Sequence, residues 1–284
     1  MSILSGLFIC LSIYSLIFIG INTSIDFRGG TIINIAIEDD DLNLITLRKS
    51  LSQDLKQTIG LVEVESLSSS RNLILTMEYF NNEELLQNSL NKLYYDKYSI
   101  KKIESIGPKI GEELKTNARN AIIASLLLIA LYVSIRFDGY YALGSLVALI
   151  HDVLITLGIF IFMNLEISIA IIAAFLTIVG YSLNDTIVIY DRIRENMIKN
   201  PHRDKDKVVN ESLNQTLSRT IVTSLTTLVV IIILYFYGGS VLKPFSFALI
   251  IGVIIGTYSS LFIASPIMLF FENKYNLEPE EEIT

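Results

Sequence analysis

Three ionisable side chains stand inside long apolar stretches of this sequence: Asp152, Asp185 and Arg219. An ionisable group near mid-bilayer costs at least about 2.5 kcal/mol and usually marks an ion or proton path. Asp152 falls about midway along Gly139–Met163, Asp185 near the end of Leu165–Tyr190, and Arg219 at the opening of Thr220–Tyr237. If the last two stretches are antiparallel helices, Asp185 and Arg219 reach similar depths and can pair. A nearby cation keeps an aspartate ionised, whereas burial favours its neutral form. A site pulled both ways can switch with conformation, which is what proton transfer requires.

Helical spacing groups further polar residues with each of the three. Ser145, Asp152 and Thr156 fall roughly on one face. Tyr181 and Asp185 share a second, with Thr177 nearby, and Arg219, Thr223 and Thr226 share a third. Such stripes can line a hydrated path, or they can be hydrogen-bonding glue between membrane helices. For Arg219 the bland alternative is snorkelling at the membrane edge. His151 lies one helix step from Asp152, where it is either a titrating relay or a packed side chain. An intramembrane aspartyl protease would need two carboxylates at one depth around a shared water. Asp152 and Asp185 sit at different depths and no G-x-G-D motif is present, so that chemistry is disfavoured.

The composition supports membrane elements around these residues. Of 284 residues, 51% are hydrophobic and only 18% charged, against about 25% charged in soluble domains. The net charge is −7 and the pI near 5.0, which excludes a nucleic-acid reader built on a basic surface. One cysteine, Cys10, and two distant histidines, His151 and His202, offer neither an internal disulfide nor a zinc site. Neither a metal nor a cofactor is called for.

A membrane helix takes about 20 apolar residues. Six runs qualify: Ile3–Ile21, Ala121–Ile135 with a polar lead-in from Ala118, Gly139–Met163, Leu165–Tyr190, Thr220–Tyr237 and Phe245–Phe271. The first has no basic leader and no A-x-A cleavage site and reads as an anchor. Lysine and arginine crowd into 191–217, which places that loop, both termini and the acidic tail in the cytoplasm, and residues 22–117 outside. The predicted organisation is a first span over 1–21, an outside domain over 22–117, a five-helix membrane domain over 118–271 and a tail over 272–284. The stretch Asn196–Asn210 is read as a short cytoplasmic helix or loop, and Glu278–Glu282 as solvated tail.

In the outside domain, Thr31–Ile37, Leu61–Leu67, Asn72–Tyr79 and Ser99–Ile106 read as strands, and Leu42–Thr58 and Leu85–Tyr94 as helices. The order βαββαβ is that of an α+β ferredoxin-like module. The Asp26-Phe27-Arg28-Gly29-Gly30 run ahead of it supplies glycines for positive φ and close packing. Gly252 and Gly256 make a GxxxG step for close helix approach, and Pro266 is placed to kink the last span.

Several of these runs together resemble the SecF family of protein-export membrane proteins. They are Asp26-Phe-x-Gly-Gly-Thr31, Ile106-Gly-Pro-x-Ile-Gly111, His151-Asp152, Gly180-Tyr-Ser-Leu-Asn-Asp-Thr186, Tyr190-Asp-Arg-Ile-Arg-Glu-Asn196, Ser218-Arg-Thr220 and Gly256-Thr-Tyr-Ser-Ser260. The resemblance extends over about residues 25–271 and is densest over 104–271. It implies a relative of the RND transporters in the bacterial inner membrane, six spans paired with a six-span SecD-like partner. It also implies work beside the SecYEG channel, where the proton-motive force helps to draw unfolded preproteins outward. Family members use the aspartate matching Asp185 and the arginine matching Arg219 in proton conduction. Asn184, Tyr181, Thr223 and Thr226 stand as supporting polar groups and Asp152 as a less certain third member. A passive scaffold for a partner subunit is the competing reading.

Overall fold

In the computed structural model of the chain, residues 2–37, 44–55, 59–64, 71–80, 82–94 and 97–275 are described. Helix α1 (Ser2–Phe18) is followed by a single turn, α2 (Ile25–Arg28), and strand β1 (Gly30–Ile37). Then come α3 (Leu44–Leu55), β2 (Gly60–Val64), β3 (Arg71–Met77), α4 (Glu83–Tyr94) and β4 (Tyr98–Ile106). Five long helical runs complete the chain: α5 (Pro108–Arg136), α6 (Gly139–Phe162), α7 (Ile169–Lys199), α8 (Lys205–Tyr237) and α9 (Gly239–Ser259). The last continues through a π-helical turn, Ser260–Ala264, into α10 (Ser265–Tyr275). Two compact units result, Thr23–Ala118 and a helical unit made of Met1–Asn22 with Arg119–Thr284.

The smaller unit is an antiparallel sheet in the order β2-β3-β1-β4. Period-2 alternation puts Ile33, Ile35 and Ile37 of β1 on one face with Leu73, Leu75 and Met77 of β3. Leu47, Leu51 and Leu55 recur every fourth residue on α3, and Leu86 and Leu90 do so on α4, so both helices join the core of that face. The strands and helices lie within a few residues of those expected from the residue pattern. The expected helix start at Leu42, its end at Thr58 and the end of the second strand, Ser66 and Leu67, lie outside the described residues. Ahead of β1, Ser24 caps α2 by accepting the Asp26 N–H. Gly29 has φ +76°, and a Cβ there would lie 2.9 Å from Pro108 Cα, while Gly30 has φ +146°. The glycine pair therefore answers a backbone demand that no other residue meets without strain.

In the helical unit the apolar runs set the elements, but the helices outrun them. Among the described residues, five runs are long and apolar enough to cross a membrane: α5, α6, α7, α8 and the composite Val241–Lys274. The sixth apolar run gives α1, whose 17 helical residues rise about 26 Å at 1.5 Å per residue, short of the ~30 Å hydrocarbon core. Its apolar sequence continues to Ile21 in non-helical backbone. The α6–α7 link is Met163–Ser168, longer than expected from sequence, with Asn164 in the left-handed region at φ 53°. Helix α1 is tied to this link, since Ile167 N–H donates to Asn22 O at 2.8 Å.

One expectation is corrected. The stretch Asn196–Asn210 is no separate element: α7 continues to Lys199 and α8 begins at Lys205, leaving only 200–204 as a turn. Polar side chains hold these helical ends, with Glu195 bridging Arg192 and Lys199, and Asn196 Nδ2 donating to Ser212 Oγ across the pair. Pro266 lies at the second position of α10, which directly follows the π-turn Ser260–Ala264. A proline N lacks the hydrogen for its i−4 bond, and an extra residue per turn accommodates the loss. The Glu278–Glu282 tail lies outside the described residues.

Candidate functional site in the helix bundle

Asp185 on α7 is 4% exposed, and its Oδ2 has no hydrogen-bond partner among the described residues. From α8, the Ser224 hydroxyl and the Arg219 charge are the polar groups that act on this carboxyl. Ser224 Oγ lies 2.7 Å from Thr257 Oγ1, so the site reaches α9 as well. Thr220 Oγ1, one turn before Ser224, is also buried without a partner. An unmade buried hydrogen bond costs about 1–3 kcal/mol. A carboxyl kept at that expense has one oxygen free to exchange a proton.

The expected Asp185–Arg219 ion pair is not formed: no such contact within 4 Å occurs among the described residues. The reason is which way each helix face points. Asp185 is covered, whereas Arg219 lies on the exposed side of α8. Its neighbours in the predicted stripe behave similarly. Thr223 Oγ1 donates back to Arg219 O and Thr220 O, and Thr226 Oγ1 to Val222 O and Thr223 O. Asn184 is exposed, and Tyr181 Oη reaches Thr227 Oγ1 at 3.4 Å. The Thr223 and Thr226 hydroxyls serve their own helix, the Tyr181 hydroxyl bridges α7 to α8, and Asn184, Arg219 and Thr226 are exposed in this chain.

Asp152 on α6 has the opposite environment. It is wholly buried, and its Oδ2 accepts from Ser182 Oγ of α7 at 2.7 Å and Ser259 Oγ of α9 at 2.8 Å. His151 Nδ1 lies 3.0 Å from its Oδ1. His151 is itself packed, 3% exposed and stacked on Tyr258, whose hydroxyl accepts from Ser5 of α1. Ser145 and Thr156, expected on the Asp152 face, are buried and donate to their own helix at Ala142 O and Asp152 O. Among the described residues, no hydrogen bond joins Asp152 to Asp185. Gly252 and Gly256 permit the closeness of α9 to α6 and α7. A side chain at Gly252 would meet Ile178, and a Cβ at Gly256 would lie 3.1 Å from Ser182 Cβ and 3.5 Å from Asp152 Oδ2.

Residue reasoning overlooked Ser182, Ser224, Ser259 and Glu272. The first and third sit inside the Gly180–Thr186 and Gly256–Ser260 motifs, the one signal that could have singled them out. Buried Glu272 of α10 pairs with Lys205 at 2.7 Å and anchors the last helix to the start of α8. At the same end Arg136 pairs with Asp191 at 2.8 Å. Tyr190 Oη donates to Ala264 O at 3.1 Å, capping the π-turn.

Comparison with known proteins places this arrangement. Residues 86–274 match the family described as protein export membrane protein SecD/SecF, C-terminal. The chain is 36% identical to the protein translocase subunit SecF of Desulfurispirillum indicum, over 97% of this chain and 90% of that protein. It is 43% identical to the SecF of Rhodothermus marinus, over 94% and 89%. Among solved structures it resembles SecDF of Thermus thermophilus, described as a translocon-associated membrane protein, with TM-score 0.83 and 39% identity over 95% of this chain. The chain spans 37% of the length of that SecDF chain. SecDF in its super-membrane-facing form matches with TM-score 0.69. Matched over most of its length by a family description, by close relatives and by a solved fold, the chain belongs to the SecD/SecF family of protein-export membrane proteins.

Proposed function

We propose that this chain is the SecF-like half of a proton-driven accessory motor for preprotein export. In this reading α1 and the five longer runs are six spans of the bacterial inner membrane, with both termini cytoplasmic. The Thr23–Ala118 unit is then a periplasmic ferredoxin-like domain that engages unfolded preprotein emerging from the SecYEG channel. A SecD-like six-span protein supplies the other half of the membrane unit. Protons pass by way of Asp185, with Arg219 as the companion charge. Each proton crossing about 100 mV releases about 2.3 kcal/mol, enough to bias a moving domain over repeated cycles.

The observation that carries this reading is the buried Asp185 carboxyl with one oxygen unpaired, next to a helix that presents Arg219 and a polar face outward. A passive scaffold has no use for such a group, since satisfied glue would serve it better. The protease alternative lacks its geometry, because no hydrogen bond or shared hydroxyl joins Asp152 to Asp185 among the described residues. The test is export of a secreted preprotein in cells carrying Asp185→Asn, with chain level and partner assembly measured alongside. Lost export with intact assembly supports the motor, and normal export leaves the scaffold ahead.

A further inference from the structure

Asp152 and Asp185 are both buried carboxyls, but only one has capacity left. Ser182 and Ser259 occupy Asp152 Oδ2, and His151 Nδ1 faces Oδ1. The partners come from three helices, so the carboxyl fastens α6, α7 and α9 at one point. That point is next to Asp185. Ser182 is three residues before it on α7, one turn away on the same side. Thr186, directly after it, bonds through Oγ1 to Ser260 Oγ at 3.0 Å, and Ser260 adjoins Ser259. The α7 turn that carries Asp185 is therefore held on both sides, once to the end of α9 through Asp152 and Ser259 and once to the start of the π-turn through Ser260. Between the two carboxyls the hydroxyl chain is broken: Ser260 meets Ser182 at its backbone oxygen, not at its hydroxyl.

We propose that Asp152 is a positioning residue, which sets the α7–α9 register around Asp185 through Ser182 and Ser259 and takes no part in proton transfer. The inference rests on Asp185 being the proton-exchanging carboxyl. It separates two acidic residues that sequence alone offered as members of one pathway.

Hydrogen-bond chemistry makes the two roles separable. In Asp152→Asn the amide oxygen can occupy the place of Oδ2 and accept from both serines. The amide N–H then donates to His151 Nδ1 once the ring carries its proton on Nε2. The contacts to Ser182, Ser259 and His151 can thus be kept while the carboxyl is removed. Preprotein export is measured for Asp152→Asn, Asp152→Ala, the double variant Ser182→Ala/Ser259→Ala, the combination of all three alanines, and Asp185→Asn, each with chain level and partner assembly. Asp152→Asn is expected to export near the wild-type rate. Asp152→Ala and the serine pair are each expected to lose about tenfold, the scale for hydrogen bonds to a charged group. Combining them should add little, since all remove one shared contact. Asp152→Asn as defective as Asp185→Asn overturns the proposal, as does full export by Asp152→Ala. Should Asp152→Ala fail to accumulate, the serine pair decides: loss supports positioning and full export overturns it. Normal export by Asp185→Asn instead brings down the underlying reading of Asp185, whatever the Asp152 variants do.

Discussion

A buried carboxyl is characterised by which of its oxygens are already taken. Asp152 is hydrogen-bonded at both, whereas Asp185 keeps Oδ2 unpaired, and our proposal of Asp185 as the exchanging carboxyl rests on that difference. Arg219 follows from the same logic. Among the described residues it makes no close pair with Asp185, so in our proposal it contributes charge at the exposed side of α8 rather than one fixed bond. Arg219→Gln should therefore lower export to about the level of Asp185→Asn, while Arg219→Lys, which keeps a point charge but not the planar fork, should retain a measurable part of it. Both are read in the same export assay at matched chain levels. Tyr190 tests structure rather than function. Tyr190→Phe removes the bond to Ala264 O and should cost about 1 kcal/mol, seen as a lower melting temperature in detergent. At this scale the sequence singled out Asp152, Asp185 and Arg219 as candidates, because charges in apolar runs are rare. Ser182 and Ser259 stayed hidden, because serine in a membrane helix is common and their common acceptor lies on another helix.

Each element shows a different limit of what the residue pattern conveys. Apolar runs located every long helix, while a β-branched run pointed to β1 and period-2 alternation to β2 and β3. Helix ends were misplaced where polar residues continue the helix, since Asp191–Leu217 has little apolar periodicity yet is held by side-chain pairs such as Arg203–Glu211. The π-turn was also invisible, because Pro266 announces a lost donor without saying whether the chain kinks or widens. Close approach, in contrast, was legible in glycine spacing. Gly256→Leu should force α7 from α9 and cost about 1–3 kcal/mol by overpacking, lowering the melting temperature of the purified chain. Gly29→Ala places a Cβ at positive φ against Pro108 and should cost about 1–3 kcal/mol. Its readout is faster limited proteolysis within Thr23–Ala118 while the helical unit stays resistant.

On the scale of the whole molecule, the helical unit leaves much of itself uncovered. Only 6% of the apolar window of α5 and 17% of that of α8 is buried within the chain. Apolar exposure of this kind suits lipid, but Asn184, Arg219 and Thr226 share the exposed surface, and polar groups in a membrane seek protein or water. A second helical protein against that face completes the site in our account. The purified chain reconstituted alone should therefore pass protons no faster than empty liposomes. The most direct test of the central claim is proton flux into proteoliposomes holding the chain together with its six-span partner, under an imposed membrane potential, with wild type and Asp185→Asn compared at equal protein. The account predicts flux for the wild type and a fall to the liposome background for the variant. Equal flux through both would contradict it.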